Sequence, residues 1–192
     1  MSKKIYLKTA ALLLLLPTAA MAHTGVAEPT SFMHGLNHPI SGMDHLLAML
    51  AVGLWAVQLG GKALWAVPSS FVILMVIGGL IGFSGVQIPF IEVGILASVL
   101  VLGALIASAY KLPVTYSALL VGIFAIFHGA AHGAEMPIEA AAMTYTIGFV
   151  LATVLLHSTG IAFGQFFQKI ALHKFSRFAG GAIALGGLYL AV

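Results

Sequence analysis

Cysteine is absent from this 192-residue chain, and charge is scarce: Asp, Glu, Lys and Arg together make up 7% of it. Without thiols, disulfides, thiolate zinc sites and iron–sulfur clusters are excluded. So little charge on a chain that is 61% hydrophobic excludes a soluble globular domain. The length leaves room for one membrane domain and no sizeable soluble one. No P-loop string occurs, so ATP is not a direct driver of whatever the chain does.

The first residues read as a secretory signal peptide over 1–22. Lys3, Lys4 and Lys8 form a basic n-region, Ala10 to Leu16 a short apolar h-region, and Ala20-Met21-Ala22 a cleavage site behind Pro17. The apolar run is too short to span a bilayer, which takes about 20 residues. Cleavage would leave 23–192 as one domain, with His23 at a mature N-terminus outside the cytoplasm. The formal net charge of +3 then disappears. Lys62, Lys111, Lys169, Lys174 and Arg177 are matched by Glu28, Asp44, Glu92, Glu135 and Glu139, so no nucleic-acid partner is implied.

Apolar segments follow at 42–59, 63–83, 89–110, 113–133, 138–168 and 175–192. Each is long enough to cross a bilayer as a helix, and too long and continuous for a barrel strand. The expected fold is therefore an all-α integral membrane protein, a six-transmembrane-helix bundle. The breaks carry turn chemistry: Gly60-Gly61-Lys62, Ser84-Gly85-Val86-Gln87, Lys111-Leu-Pro113 and Met136-Pro137. With the mature N-terminus outside, every Lys and Arg falls on the cytoplasmic side, as the positive-inside rule requires. The C-terminus falls outside, and the carboxylates at or near the outer face. Small residues recur at helix-packing spacing, as in Gly78-xxx-Gly82, Gly129-xxx-Gly133 and Gly160-xxx-Gly164, which predicts a tight bundle. Self-association is left open.

Against this apolar background the histidines stand out. His34-Gly-Leu-Asn-His38-Pro-Ile-Ser-Gly-Met-Asp44-His45 precedes the first long helix, and His128-Gly-Ala-Ala-His132-Gly-Ala-Glu135 closes another. Ionisable groups are expensive in hydrocarbon and are functional candidates there by default. Imidazole and carboxylate without thiolate suit a borderline divalent metal. His128 and His132, four apart, share one helix face at its outer end. His38 lies in an expected loop that can fold back over the helix start. Asp44 has an ordinary reading: Ser41-Gly-Met-Asp44 fits a capping box. Adjacent helical positions point about 100° apart, so Asp44 and His45 are expected to serve different contacts. Glu92 sits in a first turn, where a carboxylate is favoured anyway. Further candidates are His34 in exposed loop, His23 with its free amine, and Met49 on the His45 face as a soft ligand or core residue. His157 lies deeper, toward the cytoplasmic side, lining a path or bonding within the bundle. Phe32-Met-His34-Gly-x-x-His38 is echoed by Ile126-Phe-His128-Gly-x-x-His132.

The string His38-Pro-x-x-Gly42-x-Asp44-His45-x-x-x-Met49 resembles the HupE/UreJ family of hydrogenase and urease accessory proteins. The likeness runs through the signal peptide, the six spans and the His132/Glu135 region. It implies a nickel permease of the cytoplasmic membrane with a metal path through His38, Asp44, His45, Glu92, His132 and Glu135. The cargo would be Ni2+, with Co2+ or another divalent metal as the alternative, and no permanently bound cofactor. Hydrogenase or urease would be the indirect partner, and the lipid bilayer the direct one. Competing readings are a metal sensor or accessory protein, and a b-type haem protein with paired histidines. A rhomboid-type serine protease built on Ser84 and His157 is a third. In that last case the two residues fall at different depths, whereas a base must reach its nucleophile.

Overall fold

The computed structural model describes residues 31–136, 141–169 and 173–192. The signal peptide, His23, Glu28 and Glu139 lie outside the described residues. Among the described residues seven helices follow one another: α1 Ser31–Ser41, α2 Met43–Leu59, α3 Ala63–Phe83, α4 Ile91–Ser108, α5 Val114–Ala134, α6 Ala142–Lys169 and α7 His173–Leu190. No strand occurs among the described residues.

Each long helix divides by period rather than by polarity. On α3 the buried positions are Ala63, Val67, Phe71, Met75, Gly78 and Gly82, a stripe at spacings of four and three. Trp65, Ile73, Ile77 and Leu80 of the same helix are exposed. A helix apolar on every side is one that sits in hydrocarbon or a large core. Four helices, α3 to α6, are long and apolar enough to cross a membrane, and α1 and α2, bent by 79° between them, would together make a fifth. These helices mark a multi-pass membrane protein. Helix α7, whose first turns carry Lys174 and Arg177, is as long as α4 but not apolar enough to meet the same standard.

Helix α2 is the axis: it packs against all six others, while α3 pairs with α5, α1 with α6 and α4 with α7. The α3–α5 pair interlocks through the glycines that the sequence spacing singles out. A Cβ on Gly78 or Gly82 would meet the backbone of Ile126 or Ala130, and one on Gly129 or Gly133 that of Met75 or Gly79. This close approach presses one side of α5 onto α3 and leaves His128 and His132 on the side toward α2.

One end of the bundle is fixed by hydrogen bonds near the basic residues. Gln58 donates to the Ile106 carbonyl at 3.1 Å, Gln168 to Val57 at 3.2 Å and Arg177 Nε to Ala107 at 2.9 Å. At the other end the Ala141 amide donates to Ser31 Oγ at 2.9 Å, and Glu135 meets His38.

The segment expected as a loop before the first span is helix α1, with Pro39 inside it. It forms because α6 receives it: a Cβ on Gly35 would meet the Tyr145 carbonyl, and one on Gly148 the Phe32 carbonyl. Gly42, extended at φ −84° and ψ 116°, breaks the chain between α1 and α2. The capping box expected at Ser41 and Asp44 is not formed. The Ser41 hydroxyl reaches the Asn37 and His38 carbonyls, each at 3.0 Å, and so closes α1; the N-cap of α2 is Gly42.

Candidate metal-path site

Six helices deliver side chains to one place near the end of the bundle opposite the basic residues. Helix α1 brings His38 in its last turn, α2 brings Asp44 and His45 in its first, and α5 brings His128, His132 and the C-capping Glu135 in its last two. Helices α3, α4 and α6 add Phe71, Ser98 and Phe149. The ring centroids of His38 and His132 are 4.7 Å apart, those of His132 and His45 4.6 Å, and those of His45 and His128 4.7 Å. The four imidazoles thus form one continuous file. It begins at Glu135, half exposed, whose Oε2 is 2.9 Å from His38 Nε2. It passes through His132 and His45 and ends at His128; His132 and His128 are both fully buried.

The ring partners order the nitrogens. Asp44 Oδ1 accepts the His45 backbone N–H at 2.7 Å and lies 2.8 Å from His45 Nδ1. A carboxylate can only accept, so neutral His45 carries its proton on Nδ1 and keeps a lone pair on Nε2. That Nε2 is buried without a partner. Ser98 donates its only hydroxyl hydrogen to the Ile95 carbonyl at 2.6 Å, and its oxygen is 2.9 Å from His128 Nε2. It therefore accepts from His128 Nε2–H, which leaves a lone pair on Nδ1, again buried and unpartnered. His38 donates to Glu135 in the same way. His132, between His38, His45 and Phe149, has no partner at either nitrogen. A histidine that donates one N–H to an oxygen and turns the other nitrogen inward is the usual arrangement of a metal ligand. Among the described residues no three of these side chains converge as a ready metal centre. The rings pack edge to face, so joint coordination requires them to turn.

The expected residues divide as follows. His38, Asp44, His45, His128, His132 and Glu135 are brought together. Asp44 and His45, expected to serve different contacts, bind each other: the Asp44 carboxylate folds back onto the free first-turn amide of His45 and so reaches its ring. Glu135 pairs with His38 rather than with His132 on its own helix. Glu92 is exposed in the first turn of α4 and makes no ion pair with the file; His34 is exposed on α1. Met49 is fully buried in the core. Ser84 is exposed and its hydroxyl donates to Ile81 at 2.7 Å. His157 meets Phe71, about 20 Å down α3 from Ser84 at 1.5 Å per residue. The two are not a nucleophile and its base. Ser98, Phe71 and Phe149 were not among the expected site residues; Ser98 alone carries a signal, a lone serine mid-way along an apolar helix.

Ser98 yields a direct test. Ser98→Ala removes the acceptor that holds the His128 proton on Nε2; should the file hold a divalent metal ion, affinity of the purified protein for such a probe ion, read by calorimetry, would fall roughly 10- to 100-fold. Ser98→Thr keeps the hydroxyl and should retain most of it. Parent-like affinity in Ser98→Ala would show that Ser98 only packs.

The fold and site define a multi-pass helical membrane protein with a file of histidines and carboxylates that runs from an exposed end into the buried interior. The chain matches the family described as "HupE / UreJ protein" over residues 11–190, and it belongs to that family. It is 48% identical over 180 residues to "Protein HupE" of Rhizobium leguminosarum bv. viciae, a match covering 93% of each chain. No solved structure matches it.

Proposed function

We propose that the chain is a secondary permease that moves a divalent transition-metal ion, nickel first, inward across the bacterial cytoplasmic membrane to supply hydrogenase or urease. The observation that carries this reading is the file of four imidazoles leading from the exposed Glu135 to the buried His128. The cation would be drawn by Glu135 and Asp44 and would exchange part of its water shell for imidazole nitrogen, a donor suited to nickel. Inward movement needs no nucleotide: the membrane potential acts on a divalent ion with roughly 4.6 kcal/mol per 100 mV, twice the unit-charge value. Membership of the HupE/UreJ family, which is associated with nickel-enzyme accessory roles, supports the choice of metal.

The test is uptake of radiolabelled nickel by cells expressing the chain, with cobalt, zinc and copper as competitors. Saturable uptake that excess unlabelled nickel suppresses most strongly is expected. Uptake no greater than that of cells lacking the protein would sink the reading.

The topology belongs to the same proposal: a cleaved signal peptide, six spans with α1–α2 as the first and α7 as the last, and both mature ends periplasmic. The lysines and arginines on one end of the bundle support it. A reporter active only in the cytoplasm, fused after Val192, should stay silent. Activity there would overturn the count of six.

A further inference from the structure

His157 stands outside the file, on the far side of Phe71 from His128. It is 2% exposed, and neither Nδ1 nor Nε2 has a hydrogen-bond partner among the described residues. An imidazole with both nitrogens unbonded is costly to keep in an apolar interior, and such a group calls for an explanation. For packing alone, phenylalanine or leucine would serve without that cost. The surroundings are apolar and tight: a Cβ on Gly53 would meet the His157 carbonyl, and Gly160 lies against the backbone of Leu50.

What links His157 to the file is one side chain. The Phe71 ring is fully buried. It meets His128 at 5.5 Å on one side and His157 edge-on at 5.1 Å, 85° between planes, on the other. The sequence from the exposed end inward is therefore Glu135, His38, His132 and His45, His128, Phe71, His157. Beyond the phenyl ring, His157 backs an open, mainly apolar groove of about 340 Å³ between α3 and α6, whose outer walls include the exposed Trp65, Ser69, Ile73 and Ser158.

Resting on the permease reading, we infer that His157 is a second, inner station for the divalent transition-metal ion, and that the Phe71 ring is the partition between it and the outer file. A lone imidazole nitrogen completed by water binds such an ion weakly. That suits a station that must release as well as receive, since conduction needs sites weak enough to leave. The phenyl ring keeps the outer and inner stations from being bridged by water at rest, and turning it joins them.

The experiment pairs nickel uptake in cells with nickel binding to the purified full-length chain. In His157→Phe the unbonded nitrogens are gone and the volume is kept. Thermal stability is expected to hold or rise, outer-file nickel affinity to stay within threefold, and uptake to drop at least tenfold. A merely structural histidine would not separate stability from uptake in this way. Uptake within twofold of the parent would overturn the inner station. If His157→Phe fails to accumulate, His157→Leu is measured with the same expected and overturning results. Phe71→Ala leaves every nitrogen in place; passive nickel entry into proteoliposomes is expected to rise at least threefold, with cobalt and zinc admitted less selectively. Unchanged flux and selectivity would overturn the partition. A parent protein that carries no nickel at all would sink the permease reading itself, whereas a working parent with a working His157→Phe sinks only the inner station.

Discussion

Alanine at His132 is expected to remove nearly all nickel uptake, alanine at His45 to do the same, and the double change to lose little more than either alone. The two rings come from different helices and different sequence motifs, yet their centroids are 4.6 Å apart. Each of the three neighbouring imidazoles offers a lone pair: His45 through Nε2, His128 through Nδ1, His132 through either nitrogen. A nickel ion among them would draw on several at once, so removing one breaks a shared coordination set. Loss of a mere supporting partner costs roughly 10- to 100-fold, and loss of a ligand should reach at least the upper end. Groups in one unit are non-additive, so the double variant should fall within about threefold of the worse single one. Two separate, sequential sites would instead multiply their losses. His34→Ala serves as a control, since that side chain is exposed and outside the file; uptake should stay near the parent level. Near-normal uptake in His132→Ala, with normal protein in the membrane, would refute the shared set.

The parts of this molecule that were legible in its sequence are those fixed by local chemistry. The apolar segment expected at 63–83 is α3, Ala63–Phe83, and the other long helices begin and end within a few residues of the expected limits. Apolar length and Gly-Pro punctuation decide those boundaries, and tertiary contacts change them little. Helix α1 was not legible because Gly35 and Pro39 read as loop punctuation and its apolar stripe, Phe32, Leu36 and Pro39, is only two turns long. The backbone of α6 at Tyr145 receives that stripe and completes the helix. The capping-box pattern at Ser41 misled for the same reason. The hydroxyl was spent on the carbonyls of a helix that the pattern did not foresee. That the two histidine motifs lie at one end of the bundle agrees with the expected topology. That His38 would touch both His132 and Glu135 depended on the 79° bend between α1 and α2, which no spacing rule contains. The echo between the His34-Gly-x-x-His38 and His128-Gly-x-x-His132 strings gains a physical meaning. In each, the glycine seats the helix on a neighbour and the second histidine reaches the file.

Asp44→Asn should lower nickel uptake roughly 10- to 100-fold, the range for a lost partner behind a metal ligand. The aspartate holds two protons of one residue, the His45 amide at 2.7 Å and the His45 ring at 2.8 Å. Because a carboxylate only accepts, it dictates which ring nitrogen is protonated. An asparagine amide is nearly the same shape but offers donors as well as an acceptor. Turned one way, it lets the His45 proton move to Nε2, the nitrogen that faces the file, and a protonated nitrogen cannot bind metal. The change also removes a negative charge beside a divalent cation. The competing explanation is loss of a favourable charge at the N-terminus of α2. That effect is about 0.3–1 kcal/mol, too small to deplete a folded bundle, and protein level in the membrane reports on it separately. Three measurements then separate the cases. Uptake in Asp44→Asn should fall while protein level holds. Asp44→Asn combined with His45→Ala should be no worse than His45→Ala alone, because the aspartate acts through that ring. Asp44→Glu, which keeps the acceptor on a longer arm, should recover part of the activity. Full uptake in Asp44→Asn would leave the Asp44–His45 contact a structural detail of the helix start, and the orientation of the His45 lone pair would have to be set by something else.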